Sequence, residues 1–295
     1  MKPKIMMISM KSNLRMEKLI GLLLMFIFCL TAQNVMAQRG KFFNSDNQLS
    51  SNLATQVFQD SNGFIWIATR NGLNIYDGYN FMVIRKTYDN SNGLNSNYIN
   101  CITQDEKGRI VLGTNKSLLI LNGKRFCNVP MLDSRNKPIS TYVTQVSRLH
   151  NGDIAVATSG YGIMTKKIDA NASYAMKGEV EKLKFVHKIL EDKQERLWII
   201  LENGKLYRKE KNGKLVSRIM GTEQLTIQDI RQDDKGNIYL ATKNDGVYLL
   251  KAGSTAFTKI AGIGNLPIGN IYISRDQRLF IGCDGMGIFV YNPTT

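Results

Sequence analysis

The stretch "QDSNGFIWIAT", Gln59 to Thr69, decides the fold. Its aspartate can accept hydrogen bonds from the backbone of its own turn, and its glycine tolerates the positive φ that closes a tight hairpin. The apolar run that follows predicts a strand. Nearly the same text returns at Gln104–Thr114, "QDEKGRIVLGT", and at Gln232–Thr242, "QDDKGNIYLAT". Weaker versions begin at Arg148 ("RLHNGDIAVAT"), Leu190 ("LEDKQERLWIIL") and Ile273 ("ISRDQRLFIGC"). Aligned on Trp66, the equivalent residues are Val111, Ala155, Trp198, Tyr239 and Phe280, at steps of 45, 44, 43, 41 and 41 residues. So regular a spacing marks six repeated units.

The contents of a unit choose among repeat architectures. The first offers four short β segments, "QVFQD", "FIWIAT", "LNIYD" and "FMVIR", and no helical periodicity competes. The second segment is apolar on successive residues, as expected of a strand covered on both faces. Four such strands stacked about an axis make a blade, so the expected class is all-β, a β-propeller of four-stranded blades with six repeats present. A second glycine follows the apolar run at Gly72, Gly162, Gly204, Gly246 and Gly287, with Ser117 in its place in unit two, and is expected in the hairpin joining the second and third strands. The residue before the threonine position is small in five units (Ala68, Gly113, Ala157, Ala241 and Gly282), which suits a crowded hub; Ile200 is the exception.

These residues carry a resemblance. "LSSNLATQVFQDSNGFIWIATRNGLNIYDGYNF", Leu49–Phe81, and "GLNSNYINCITQDEKGRIVLGT" resemble the two-component regulator propeller repeat of the periplasmic sensor halves of bacterial hybrid histidine kinases. The pattern is clear in units one, two and five, degenerate in three, four and six, and covers roughly residues 40–292. The resemblance implies seven-bladed propellers that sense carbohydrate fragments, followed by an immunoglobulin-like domain, a membrane helix and cytoplasmic kinase, receiver and DNA-binding parts. This chain contains six repeats and none of those later parts. Its C-terminus leaves a six-bladed ring and an open arc with two uncovered faces as the alternatives, and the arc is preferred. The stretch "KFFNSD" is expected to act as a leading strand that completes the last blade.

The N-terminus indicates export. Lys11, Arg15 and Lys18 precede the apolar run Leu19–Leu30, and Val35 and Ala37 stand at −3 and −1 of a cleavage site, the pattern of a secretory signal peptide. The expected organisation is therefore a signal peptide over 1–37 and a propeller over 38–295, in the periplasm. A retained N-terminal membrane anchor is the alternative, although twelve apolar residues fall short of the roughly 20 needed to span. Cleavage would lower the formal charge from +15 to +11. A basic exported surface offers two readings, solvated loop charge or preference for an acidic glycan; nucleic acid is not an expected partner. Cys101, Cys127 and Cys283 lack metal-ligand spacing and are expected as buried free thiols, Cys101 and Cys283 on strands, with one disulfide as the alternative in an oxidising compartment.

Little points to catalysis. His150 falls in a turn and His187 on an inner strand, without partners at a recognisable spacing. Asp60, Asp105 and Asp233 occupy separate blades, whereas calcium needs about 6–8 converging oxygens, so a turn role is expected and no cofactor. Trp66 and Trp198 are expected to pack. The two functional readings are a non-enzymatic sensor that binds an oligosaccharide and a propeller enzyme, a lyase or glycosidase; a truncated product without a role is a third. Partners expected with the sensor are an oligosaccharide, a second copy in a homodimer, or the remainder of a hybrid histidine kinase. Loops leading into the innermost strands and loops joining strands two and three open on one face of a propeller. That face gathers Asn52, Asn97 and Tyr142 from the first set and Arg70, Asn71, Lys116, Tyr161, Asn244, Asp245 and Asp284 from the second. Amides and charges suit sugar hydroxyls, and tyrosine rings suit the apolar faces of sugars. Arg70, Lys116 and Tyr161 have the least reason to be there for turn formation and are the leading candidates.

Overall fold

Each repeat folds as its own antiparallel sheet, with the strands in sequence order from the hub outward. The computed structural model describes residues 42–89 and 91–293; the segment expected as a signal peptide, 1–37, lies outside them. Blade 1 is Ala54–Gln59, Ile65–Thr69, Gly72–Tyr76 and Phe81–Ile84, and blade 2 is Ile99–Gln104, Ile110–Thr114, Leu118–Asn122 and Arg125–Val129. Blades 4 and 5 start at Val186 and Ile227 and end in outer strands of only two residues, Leu215–Val216 and Thr258–Lys259. Blade 6 has three strands among the described residues: Ile268–Ile273, Leu279–Cys283 and Gly287–Tyr291. The fold is thus all-β, a six-bladed propeller, with one 3-10 turn at Glu179–Lys182.

Two features depart from the four-strand expectation. Asn44–Gln48 forms a turn held by the Asn44 carbonyl, and among the described residues Phe42–Asp46 forms no strand, so the expected closing strand is not found there. Blade 3 (Val143–Arg148, Ile154–Thr158, Gly162–Lys166 and Ser173–Ala175) gains a hairpin, Met131–Leu132 and Pro138–Ile139. The hairpin pairs in parallel with Ser173–Ala175 and makes a six-stranded sheet.

The repeated aspartate closes the first hairpin of its blade. In blade 4 the Asp192 carboxylate accepts the backbone N–H groups of Gln194 and Arg196 on one oxygen and the Arg196 Nε and Trp198 Nε1 on the other, at 2.6–3.0 Å. Asp60 repeats this with Asn62, Phe64 and the Trp66 indole, 2.8 Å away. The turn and the buried aromatic residue of the next strand are therefore one unit, and both tryptophans pack as expected. Asp105 and Asp233 are occupied in the same way by Arg109 and by Asn237 and Tyr239.

The core is divided among the junctions between blades. Five apolar clusters follow in order, joining blades 1 and 2 (around Trp66, Leu73, Ile102 and Leu112), 2 and 3, 3 and 4, 4 and 5 (around Trp198, Ile230 and Leu240), and 5 and 6. Faces at the two ends of the series stay uncovered. On blade 1, Val57 is 62% exposed, and on blade 6, Tyr272, Ile288 and Val290 are 62%, 72% and 52% exposed.

At the hub every innermost strand breaks register once, at Thr55, Asn100, Thr144, His187, Gln228 and Gly269. A β-bulge re-aims one side chain. Here Thr55, Asn100 and Thr144 donate to the carbonyls of Ile99, Val143 and Val186 in the following blade, at 2.6–2.8 Å. The next residue along forms a second clasp: Gln56, Gln145 and Asp229 accept the N–H groups of Ile102, Ile189 and Ile271. Small residues on the second strand make room for this side chain. A Cβ on Gly113 would lie 2.3 Å from the Cys101 sulfur, and one on Gly282 would lie 2.4 Å from the Asn270 Oδ1. Asp229 is fully buried with Lys188 Nζ at 2.9 Å and Arg231 Nη1 at 3.1 Å. Burial alone would raise its pKa, but Arg231 and Lys188 outweigh burial and hold it below the ordinary 3.8.

Two predictions follow from these buried carboxylates. Asp192→Ala strands the buried Trp198 N–H and two turn amides, and should lower stability by about 2–4 kcal/mol in urea unfolding, whereas the exposed Asp276→Ala should cost less than about 1 kcal/mol. Because the folded-state pKa of Asp229 is depressed, its stabilisation is present above the unfolded value and lost as pH falls toward the folded one. Asp229→Asn should therefore be less stable than the parent at pH 7, with the gap narrowing as pH drops below about 4 when melting is followed by circular dichroism.

Candidate functional site

The upper face of the array is built from a second repeated contact. In each blade the residue that begins the loop between strands two and three donates its N–H to the residue just before the innermost strand. The pairs are Arg70 to Leu53, Asn115 to Tyr98, Ser159 to Tyr142, Glu202 to Phe185, Lys243 to Thr226 and Asp284 to Pro267, at 2.9–3.3 Å. These bonds fix a side-by-side series of pairs around the mouth, apolar or aromatic on one side in every blade but the fifth, where Thr226 stands, and polar on the other. Leu53, Tyr142 and Phe185 are exposed there although they are large and apolar.

The first three pairs form a continuous ladder. The Arg70 guanidinium lies 5.4 Å from the centre of the Tyr98 ring, and Tyr98 meets Tyr142 edge to face at 6.0 Å. Burial, then the hydrogen bond to and charge of Tyr98, push the Tyr142 hydroxyl above its ordinary pKa, with Arg70 pulling the other way. Tyr142 therefore stays neutral at physiological pH, able both to donate and to accept. Lys116 is exposed beside the ladder, and its carbonyl accepts the Thr141 N–H.

The two sets of loops lie side by side, and within the first set the candidate residues are offset by one position. Tyr142 is equivalent to Leu53 and Tyr98, while Asn52 and Asn97 are equivalent to Thr141. Both asparagines are used structurally: Asn52 Oδ1 accepts the Ser45 N–H at 2.7 Å, and Asn97 Oδ1 accepts the Lys86 N–H at 2.6 Å. Tyr98 and Phe185 were missed, although each stands immediately before an innermost strand, as Tyr142 does. The remaining candidates are dispersed. Asp284 is exposed on blade 6, and Asp245 is half-buried, with its own N–H bonded to Thr242 Oγ1. Asn71 donates its N–H to Thr69 Oγ1, a turn role, and Asn244 is exposed on the blade 5 loop. Tyr161 leaves the ladder for a separate cavity with Asp133, Arg135, Glu181 and Lys184.

The two histidines occupy different places. His150 lies in the turn between the first two strands of blade 3, on the opposite face, with Nδ1 2.9 Å from Glu191 Oε2. His187 is the bulge residue of blade 4, and burial, followed by the Lys188 charge, lowers its pKa. Cys101 and Cys283 are buried free thiols, and Cys127 is a free thiol that is exposed. Burial pushes the Cys101 thiol up to about 12, which leaves it protonated and inert. Among the described residues no group of three His, Cys, Asp or Glu side chains is placed to hold a metal ion.

Comparisons with known proteins follow the fold. The two component regulator propeller family matches residues 48–71 and 93–116, the opening halves of blades 1 and 2. No curated protein sequence matches the chain. Among solved structures, the extracellular domain of BT3049 from B. thetaiotaomicron, assigned to a hybrid two component system, superposes with a TM-score of 0.74 at 22% identity over 86% of this chain and 35% of that one. The extracellular domain of BT4673 from the same organism, assigned to a one component system, gives 0.67 at 16% identity over 83% and 35%. A streptogramin B lyase gives 0.62 at 14% identity over 84% of this chain and 85% of the lyase. At these identities the likeness is one of fold, and the chain spans about a third of each of the two extracellular domains. The chain is a propeller distantly similar to the extracellular sensor domains of two-component systems.

Proposed function

We infer that this chain is a ligand-binding propeller of an extracytoplasmic sensor, that it reads an oligosaccharide at the mouth of the array, and that it performs no chemical step on it. The observation that carries this reading is the Arg70–Tyr98–Tyr142 ladder: a cation, two phenol rings and the adjacent Lys116 on one face. Aromatic rings with polar tips cover the C–H face of a sugar while hydrogen-bonding its hydroxyls, and bulge-locked strands hold them without an ordering cost on binding. The regulator-propeller match in blades 1 and 2 and the likeness to sensor domains support the signalling context. The signal-peptide pattern at residues 1–37 supports a periplasmic location. Passing a signal inward would then need the remaining parts of a hybrid histidine kinase, in the same polypeptide or as a partner.

A lyase is the competing reading, supported by the likeness to streptogramin B lyase. It is disfavoured by the placement of His150 on the opposite face from the ladder and of His187 within a bulge at the hub.

The test is calorimetry of the full chain against a panel of oligosaccharides, repeated with the Arg70→Ala/Tyr142→Ala variant. A ligand bound by the parent should lose roughly tenfold or more in affinity, about 1.4 kcal/mol. Unchanged affinity in a variant that melts like the parent removes this face as the site. Turnover of the sugar would replace the sensor reading with the enzymatic one.

A further inference from the structure

Blade 6 differs from the other blades in that its third strand is an edge. Among the described residues Gly287–Tyr291 pairs with Leu279–Cys283 on one side and with no strand on the other, whereas the third strand of every other blade carries a fourth. The backbone groups on that open side are of a kind used elsewhere in the array. Ile163 in blade 3 and Val247 in blade 5 each follow the hairpin glycine, as Ile288 does, and their carbonyls accept the N–H groups of Met176 and Ile260 in the next segment out, both at 2.8–2.9 Å. By the alternation of an antiparallel ladder, Ile288 and Val290 turn their N–H and C=O groups outward, and Gly287, Phe289 and Tyr291 bond inward to the second strand.

The other rims of the array are short, covered or charged, the usual protections of an edge. The outer strands of blades 4 and 5 have two residues each, and the Met131–Leu132 hairpin covers the rim of blade 3. In blade 2 the Phe126 N–H donates to the Asn92 carbonyl at 2.9 Å, and the outer strand of blade 1 runs into Arg85 and Lys86. Gly287–Tyr291 has none of these protections. It is five residues long, "GIFVY", without charge or proline, and Ile288, Phe289 and Val290 are 72%, 41% and 52% exposed. Its β-branched and aromatic residues favour pairing.

An open edge takes a strand, and this edge fits itself. Two copies of Gly287–Tyr291 set antiparallel about a two-fold axis at Phe289 bring Ile288 of one opposite Val290 of the other. Those are the outward-facing residues, so each pair can exchange both backbone bonds, and a slip of one residue would set inward-facing groups opposite them. No charge on either strand opposes the approach. Ile288 and Val290 of both copies fall on one face, where they extend the strip begun by Tyr272 and Phe280, whose rings lie 6.3 Å apart. We propose that the third strand of blade 6 is a self-pairing edge through which two copies of this chain join their last blades into one six-stranded sheet. The contact is isologous and closes at two copies. Because the paired strands run antiparallel, the two mouths open in opposite directions, and the dimer stands whether or not the mouth binds sugar. Five residues a side fall at the small end of stable interfaces, which bury about 1,200 Å² or more, so a micromolar Kd is expected.

The experiment is sedimentation velocity of the full chain over a concentration series, and the parent is expected to pass from monomer to dimer. Ile288→Lys/Val290→Lys changes two exposed side chains and should melt like the parent, yet weaken dimerisation at least tenfold. Val57→Lys, on the uncovered face of blade 1, should leave the dimer unchanged. Register is read by Phe289→Cys in a Cys29→Ser/Cys127→Ser background, because a residue paired with its own copy across a non-hydrogen-bonded site has its side chains about 4.5–5.5 Å apart. Oxidised glutathione should cross-link that variant as a dimer. A parent that stays monomeric at about 100 μM, an undiminished dimer in Ile288→Lys/Val290→Lys, loss of the dimer in Val57→Lys, growth beyond two copies, or no cross-link at position 289 would each overturn the proposal.

Discussion

A sheet with two apolar faces has to find cover on both, and in this chain the cover comes from the next repeat. That constraint explains the successive apolar residues on second strands such as Ile110–Thr114 and Ile238–Thr242, because alternate residues face the preceding blade (Ile110 and Leu112, Ile238 and Leu240) and the following one (Val111, Tyr239 and Ala241). It also explains why the core is a row of five clusters with no single centre. Stability in such an array is close to a sum of neighbour terms. The uncovered faces of blades 1 and 6 are the same faces that meet at every internal junction, so their exposure reflects position in the array and not a difference in composition.

Packing alone leaves polar backbone at the hub, where the innermost strands converge. The bulges answer that problem by turning one side chain per blade toward the carbonyl of its neighbour, as in Thr55 to Ile99 and Thr144 to Val186. The clasp one residue later satisfies an N–H in the same neighbour. Together they set the angle between blades, and through it the spacing of the residues that follow the same strands upward to the mouth. Tyr98 and Tyr142 come within contact distance because Asn100 and Thr144, two residues later on the same strands, are locked across successive junctions.

The blade units were legible because their signals are local and repeated: Asp60, Gly63 and Trp66 lie within seven residues and recur in sequence. The bulge positions were not, since Thr55, Asn100, Thr144, His187, Gln228 and Gly269 follow no common residue type and only the register reveals them. The mouth was legible as a face and blurred by one residue, because Asn52 and Asn97 look like ligand-binding amides and are spent on Ser45 and Lys86. The blade 3 hairpin passed unread for a different reason. Its strands are two residues long, and their partner, Ser173–Ala175, lies about forty residues away, beyond any local pattern.

That hairpin joins two blades at the rim as well as at the hub. The outer strand of blade 2 runs through Pro130 directly into Met131–Leu132, the Pro130 carbonyl accepts the Ser173 N–H at 2.8 Å, and Met131 is buried among residues of both blades. The other junctions lack this outer bracing strand. Blades 2 and 3 are therefore braced to each other more than the modular series requires, and that block is expected to stay protected in hydrogen exchange after blades 1 and 6 have frayed. The face that carries Tyr98 and Tyr142 is drawn from these two braced blades.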